Sequence, residues 1–304
     1  MTATSAPPPR TVHVLGVAMD YGQQRRGVSM GPQAIRYAGL HAELAAPGLA
    51  VEDLGNVTCP DRDTLPHRRP IEFLPEVARV CGEVLERGRR SLAAGAFPLF
   101  LGGDHSIAAG TVAATAAAHG EIGVLWVDAH GDFNTPETSP TGNLHGMPLA
   151  ALCGLGAPEL VHLGRPGAKV SPRHVVLFGA RDLDAGERGL LREQGVKVIT
   201  LSDIDRHGIQ RAVADALAHL APVTRLHVSL DLDVLDSVYA PGVGTPVMGG
   251  LTWREAHFLM EELHADGRAA ALDLVEVNPV LDRENRTSRL AVDLAASLLG
   301  KRIF

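Results

Sequence analysis

Two short segments of this 304-residue chain place ionisable residues two apart directly after an apolar run: Asp128-Ala129-His130-Gly131-Asp132 follows residues 124–127, and Asp231-Leu232-Asp233 follows Val228-Ser229-Leu230. In an extended segment alternate side chains share a side, so Asp128, His130 and Asp132 can converge, as can Asp231 and Asp233; helical spacing would scatter them. Four carboxylates and an imidazole cannot share a site unless a strong positive charge offsets their repulsion and desolvation. Bound divalent metal is the simplest source of that charge. His105, after Leu99-Phe100-Leu101-Gly102-Gly103-Asp104, adds a second imidazole. Oxygen-rich donors with few imidazoles and no thiolate favour Mn²⁺ or a similar six-coordinate ion over structural Zn²⁺. Four carboxylates balance two such ions, and a water bridging ions about 4 Å apart is a nucleophile near neutral pH. Aspartates after strands also act as N-caps and turn formers. That reading suits any one of these residues and not all six together.

The elements that must position them alternate in type. Apolar runs of strand character fall at residues 12–17, 50–54, 98–101, 123–127, 175–178, 197–200, 225–230 and 270–275, most of them continuously apolar as buried parallel strands are. Helical patterns lie between, at 74–94, 107–119, 208–220, 252–265 and 288–299. This order predicts βα units around a mostly parallel sheet. His105, Asp128, Asp231 and Glu276 then all follow strand ends, where open α/β sheets bind ligands.

Composition narrows the partners. A net charge of −7 supplies no basic stripe for nucleic acid or acidic lipid, and no apolar run approaches membrane-spanning length. Cys59, Cys81 and Cys153 are scattered without metal-type spacing and read as reduced thiols of a cytoplasmic protein. Residues 1–10, rich in Ala, Ser, Thr and Pro, lack the apolar core of a signal peptide and read as a disordered tail before a single domain over 11–304. His13, on a strand without a motif, reads as a satisfied core or edge residue.

Gly102-Gly103-Asp104-His105-Ser106, Asp128-Ala129-His130-Gly131-Asp132 and Ser229-Leu230-Asp231-Leu232-Asp233 together resemble the three metal motifs of the ureohydrolase (arginase) superfamily. The likeness runs from Gly22-Gln23-Gln24-Arg25-Arg26-Gly27 to Gly300-Lys301. It implies an α/β fold, a three-layer αβα sandwich with a mostly parallel eight-stranded sheet as in arginases and deacetylases. It also implies two Mn²⁺ ions that hydrolyse guanidino compounds to urea and an amine. The resemblance assigns His105 and Asp132 to one ion, His130 and Asp233 to the other, and Asp128 and Asp231 to both.

The segment from Asn134 to Gly146 resembles arginases specifically, and there it assigns Asn134, Thr141 and Asn143 to the α-carboxylate of arginine. Such neutral groups bind a carboxylate without introducing a competing cation. Agmatine, lacking that carboxylate, would not need the loop. The resemblance gives Asp184 and Glu187 to the α-ammonium, although the same pair has capping-box spacing before a helical stretch. It gives Glu276 to the guanidinium, which stays protonated and requires a carboxylate partner. His145 is implied in proton transfer and Thr245 in the pocket.

The implied reaction converts L-arginine to L-ornithine and urea by attack of a metal-bridging hydroxide on the guanidinium carbon. Glu276 stabilises the intermediate, Asp132 passes a proton to the departing amine, and activity rises from acid into mildly alkaline pH. A cytoplasmic homotrimer or homohexamer is implied as well. Rival readings are another ureohydrolase acting on agmatine or guanidinobutyrate, a deacetylase-like amide hydrolase, and a non-catalytic metal-binding scaffold. Three residues depart from the family pattern: Thr141 stands for serine, and Val234 and Ser237 replace glycine and proline, which would reshape the loop after Asp233.

Overall fold

The computed structural model describes residues 11–46 and 48–302, and the tail expected over residues 1–10 lies outside them. Eight strands, β1 (Thr11–Val17), β2 (Ala50–Asn56), β3 (Phe97–Gly102), β4 (Gly123–Val127), β5 (Val175–Ala180), β6 (Lys197–Thr200), β7 (Leu226–Asp231) and β8 (Ala269–Val275), form one sheet in the order β2-β1-β3-β8-β7-β4-β5-β6. Every neighbouring pair is parallel. Each expected strand is present within two residues of its expected bounds.

Parallel pairing obliges the chain to cross back between strands, and helices make those crossings. Among the described residues they are α1 (Gly31–Tyr37), α2 (Leu40–Ala45), α3 (Leu74–Ala93), α4 (Ala108–His119), α5 (Pro148–Leu152), α6 (Pro158–Val161), α7 (Ala185–Gln194), α8 (Leu201–His207), α9 (Ile209–His219), α10 (Trp253–Asp266) and α11 (Arg286–Leu298). The long helices α3, α4, α9, α10 and α11 match the periodic patterns. The short ones α1, α2, α5, α6 and α8 were not expected, because two turns or fewer carry too little periodicity to register.

Alternation of side chains across the sheet produces three layers. Val12, Val14, Leu99, Leu101, Val228 and Leu230 face one side, where they pack with Ile35 of α1, Leu44 of α2, Val213 of α9, Leu259 of α10 and Leu294 of α11. Leu15, Val17 and Phe100 face the other side, against Val77 and Val84 of α3. Val124, Trp126 and Leu177 continue that second face against Val112 of α4 and Leu149 of α5. The edge strands β2 and β6 are less buried than the rest: β2 pairs only with β1 and leaves Glu52 and Asp53 exposed, and β6 pairs only with β5 and leaves Lys197 exposed. Charge on an edge strand discourages further strand pairing.

The strand order explains how distant residues meet. β3, β8, β7 and β4 are consecutive neighbours at the centre of the sheet, and neighbouring strands lie about 4.8 Å apart. The segments after their carboxyl ends carry His105, Glu276, Asp231 with Asp233, and Asp128 to Asp132 respectively.

Candidate metal centre and substrate cavity

Each ligand candidate is delivered by a backbone feature next to its strand. Asp104 caps the turn that presents His105, its Oδ1 accepting the Ser106 N–H over 3.0 Å, while its Oδ2 accepts from Gly22 N over 2.8 Å. Asp128 and Asp231 fold their own loops in the same way, accepting from His130 N at 2.7 Å and Asp233 N at 2.8 Å. These are the turn bonds that an aspartate after a strand offers. Here each leaves its second carboxylate oxygen for other work. Asp132 and Glu276 adopt φ of 49° and 64°, a left-handed conformation rare for residues with side chains. Such strain persists where surrounding structure enforces it, typically at functional sites.

The side chains converge as two sets sharing one member. His105, Asp128 and Asp132 form the first, and Asp128, His130 and Asp233 the second, in each case with ligand-type atoms within 4.8 Å of one another. His105 Nδ1 lies 3.1 Å from Asp128 Oδ2, 3.0 Å from Asp132 Oδ2 and 3.4 Å from Asp231 Oδ2. His130 Nδ1 lies 3.0 Å from Asp233 Oδ2 and 3.5 Å from Asp128 Oδ1. Asp231 therefore stands against the first set, and Asp128 joins both.

The donor set fits divalent cations on two counts. His105 Nδ1 is buried beside three carboxylate oxygens yet makes no directed hydrogen bond to any of them. Its other nitrogen, Nε2, lies 2.9 Å from Ser229 Oγ, and that hydroxyl donates to Asp273 Oδ2 over 2.9 Å. The serine proton is committed to the carboxylate, so Ser229 Oγ accepts from Nε2–H and leaves Nδ1 as a lone pair aimed among the carboxylates. The second count is charge. Burial, followed by the neighbouring Asp128 charge, lifts Asp132 to about 6, and burial with the Asp233 and Asp128 charges holds Asp231 well above the carboxylate range. His105 and His130 are raised despite burial because carboxylates surround them. Without cations the cluster must hold protons. Two divalent ions would replace them.

Sequence patterns did not single out the groups that support this cluster. Trp126 stacks on the His105 ring, with centroids 4.0 Å apart and planes 11° from parallel, and its Nε1 donates to Asp128 Oδ2 over 3.0 Å. Asp273 Oδ2 accepts from Thr111 Oγ1 at 2.8 Å and lies 2.9 Å from His227 Nε2, in addition to Ser229. The available signal was a charged residue inside the apolar run of β8, buried completely and facing Ser229 in the strand register. Arg181 spans the loop after Asp233, donating to the Asp233, Val234 and Val247 carbonyls. Val234, in this loop, is fully buried in the core.

A cavity of about 250 Å³ opens over the cluster, lined by His130, Asp132 and Asp231 and by Asn134, Thr141, Asn143, Asp184, Glu187 and Thr245, with His145; of the residues assigned to substrate only Glu276 is not in its lining. Asn134 Nδ2 donates to Asp184 Oδ2 over 2.6 Å, and Asn143 Oδ1 is buried without a partner. Thr245 is more than a wall, since its hydroxyl donates to Asp233 Oδ2 over 3.1 Å. Asp184 does cap α7, accepting from Glu187 N over 2.9 Å. The capping box that the same spacing allows is not completed, however. Glu187 turns inward, accepts from Phe133 N over 2.9 Å, and is raised to about 8 by burial.

Glu276 is fully buried behind the cavity wall. Its Oε1 accepts from His105 N at 2.9 Å and lies 2.9 Å from His145 Nδ1. Burial opposes charge on both partners, yet their mutual attraction raises His145 to about 9 and lowers Glu276. His13, by comparison, bonds Ser91 from β1 as a satisfied residue of a strand.

Comparison with known proteins agrees with this geometry. Residues 10–300 match the model of the arginase family. The chain is 47% identical to an arginase of Bacillus subtilis over 294 residues, covering 97% of this chain and 99% of that protein. A crystal structure of arginase from Bacillus caldovelox superposes with a TM-score of 0.93 at 45% identity, covering 97% of this chain and all of that one. A hypothetical agmatinase from Burkholderia thailandensis aligns less well, with a TM-score of 0.73 at 27% identity over 95% of this chain and 84% of that one.

Proposed function

This chain belongs to the arginase family, and from that premise we propose that it hydrolyses L-arginine to L-ornithine and urea with two Mn²⁺ ions held by His105, Asp128, His130, Asp132, Asp231 and Asp233. The observation that carries the substrate assignment is the division of the cavity. Its lining joins His130, Asp132 and Asp231 of the carboxylate and imidazole cluster to a second group in which the neutral side chains Asn134, Thr141 and Asn143 stand with the acids Asp184 and Glu187. A guanidinium at one end and an α-amino acid group at the other fit those two zones. Agmatine would leave the neutral zone without a partner.

Bound here, the ions supply a water acidified enough to act as nucleophile at neutral pH and balance the carboxylate charge. Glu276 holds the guanidinium and stabilises charge as the carbon becomes tetrahedral. Asp132 handles the proton of the bond-breaking step. It lines the cavity, as Asp231 does and Asp128 and Asp233 do not, and with Asp231 assigned to both ions it is Asp132 that can take a proton from the attacking water and deliver it to the departing amine as the C–N bond breaks. His145 Nδ1 is committed to Glu276. Its Nε2 is the position at which the ring exchanges protons with the cavity mouth.

The same reading places the enzyme in the cytoplasm as a homotrimer or homohexamer. No helix among the described residues is long and apolar enough to cross a membrane. The direct test is urea release by the Mn²⁺-loaded protein from L-arginine, agmatine and 4-guanidinobutyrate side by side. Arginine is expected to exceed both others by at least about 100-fold in kcat/KM, the discrimination given by leaving buried polar groups unpaired. Equal or better turnover of agmatine would overturn the assignment.

A further inference from the structure

The side chain of Gln23 has no role in the reaction as described, yet the residue is as buried as Asp233, with 1% exposure. Its Nε2 donates to Glu276 Oε2 over 2.7 Å. A carboxylate only accepts, so this bond fixes the amide orientation and turns the carbonyl Oε1 away from Glu276. That oxygen is buried with no hydrogen-bond partner. A buried acceptor left unsatisfied costs free energy, and each such group in a native fold calls for a physical reason.

The neighbourhood supplies one. A Cβ added at Gly244 would come within 2.8 Å of Gln23 Oε1 and 3.0 Å of Glu276 Oε2. The two oxygens thus border one small space, kept open by the missing side chain of Gly244. Gln23 and Gly244 also line a cavity of about 670 Å³ together with Thr141 and Asn143, and Glu276 does not. Glu276 has little capacity left: Oε1 is occupied by His105 N and His145, and Oε2 by Gln23. A guanidinium brings five N–H donors. One remaining carboxylate lone pair cannot satisfy them.

We propose that Gln23 Oε1 is a second acceptor for the substrate guanidinium, with Gly244 as the open floor between it and Glu276; this deepens the arginine reading and rests on it. The loop arrives already organised. Arg62 donates to the Gln23 carbonyl over 2.6 Å, Gly22 N is held by Asp104 at 2.8 Å, and Gly22 O accepts from His145 N at 3.1 Å. Binding therefore needs no rearrangement of Gln23, which keeps its contribution from being spent on ordering. A terminal ammonium, as in the product, carries no planar fork to fill the space.

The test compares Mn²⁺-loaded wild type with Gln23→Met and Gly244→Ala. It measures KM and kcat for L-arginine, inhibition by L-ornithine, and bound metal by elemental analysis. Gln23→Met is expected to lower kcat/KM for arginine by roughly 10- to 100-fold, mainly through KM, as loss of a hydrogen bond to a charged group does. Ornithine inhibition should stay within about twofold and metal content should not change, because neither involves the guanidinium. Gly244→Ala should show the same pattern with the amide–carboxylate bond intact, and it decides the matter if Gln23→Met does not fold. An unchanged kcat/KM, an equal loss of arginine and ornithine binding, or a loss of metal would each overturn the proposal. Absence of urea release by the wild type would instead refute the arginine reading itself.

Discussion

Replacing Gly131 by alanine tests how tightly the metal loop is built onto the substrate cavity. Gly131 separates two of the proposed ligands, His130 and Asp132, and its φ is not in the left-handed region, so alanine meets no backbone penalty there. The obstacle is Glu187. An added Cβ would lie 2.5 Å from its Cδ and 2.7 Å from Oε1. Either Glu187 leaves, breaking its bond from Phe133 N at 2.9 Å, or the loop shifts and carries His130 and Asp132 out of register. Losing the buried bond costs about 1–3 kcal/mol and overpacking about 1–3 kcal/mol, so by either route the variant should lose about 1–3 kcal/mol. With unfolding entropy near 2.1 cal/mol/K per residue, a chain of 304 residues loses about 1 °C of Tm for each ~0.6 kcal/mol. Differential scanning calorimetry should therefore show a fall of about 2–5 °C, with weaker Mn²⁺ binding and slower urea release. Gly131→Ala combined with Glu187→Ala vacates the space and should recover at least about 1 kcal/mol relative to additivity. A Gly131→Ala protein that melts with the wild type, or a strictly additive double variant, would refute the packing argument.

Other perturbations read other parts of the site. In metal-stripped protein, Asp132, Asp231, His105 and His130 all have folded-state pKa values above their unfolded ones, so the fold binds more protons than the unfolded chain and its stability falls as pH rises through the folded values. The rise in Tm on adding Mn²⁺ should accordingly be larger at pH 8 than at pH 6, reaching about 8 °C when both sites are saturated 100-fold above their Kd; a rise that shrinks with pH contradicts the shared-site picture. Asn143→Asp sets a charge against the α-carboxylate and should cut kcat/KM for arginine by about 10- to 100-fold while changing that for agmatine far less, and equal effects on both would remove Asn143 from carboxylate recognition. Ser229→Ala or Asp273→Asn should weaken metal binding by about 10- to 100-fold, because each frees the His105 ring to change tautomer; unchanged affinity in a metal titration would show that the chain from His105 to Asp273 does not act on the metal site.

The contrast between what patterns revealed and what they hid follows from range. Asp128, His130, Asp132, Asp231 and Asp233 were legible because ionisable residues crowded after buried apolar runs are costly without a cation; they converge, however, through the turns that follow β4 and β7, closed by Asp128 and Asp231, and not through the strand alternation expected of them. Which ones meet depended on strand order, which brings β3, β8, β7 and β4 together although β8 lies far along the chain from β3. Asp273 lines up with Ser229 only in the register of β7 against β8, and Gln23 reaches Glu276 across 253 positions of sequence. No local pattern records such contacts. Glu187 shows the limit of local spacing: three residues after Asp184 it also fits a capping box, but its side chain turns inward against Gly131 and accepts from Phe133 N.

The central claim is hydrolysis of arginine at a two-ion centre, and the measurement closest to it is Mn²⁺ titration of metal-stripped protein with urea and L-ornithine quantified in the same samples. Both products should appear in equal amounts, with activity absent at zero metal and saturating at two ions per chain. Full activity without added metal, or saturation at one ion per chain, would contradict it.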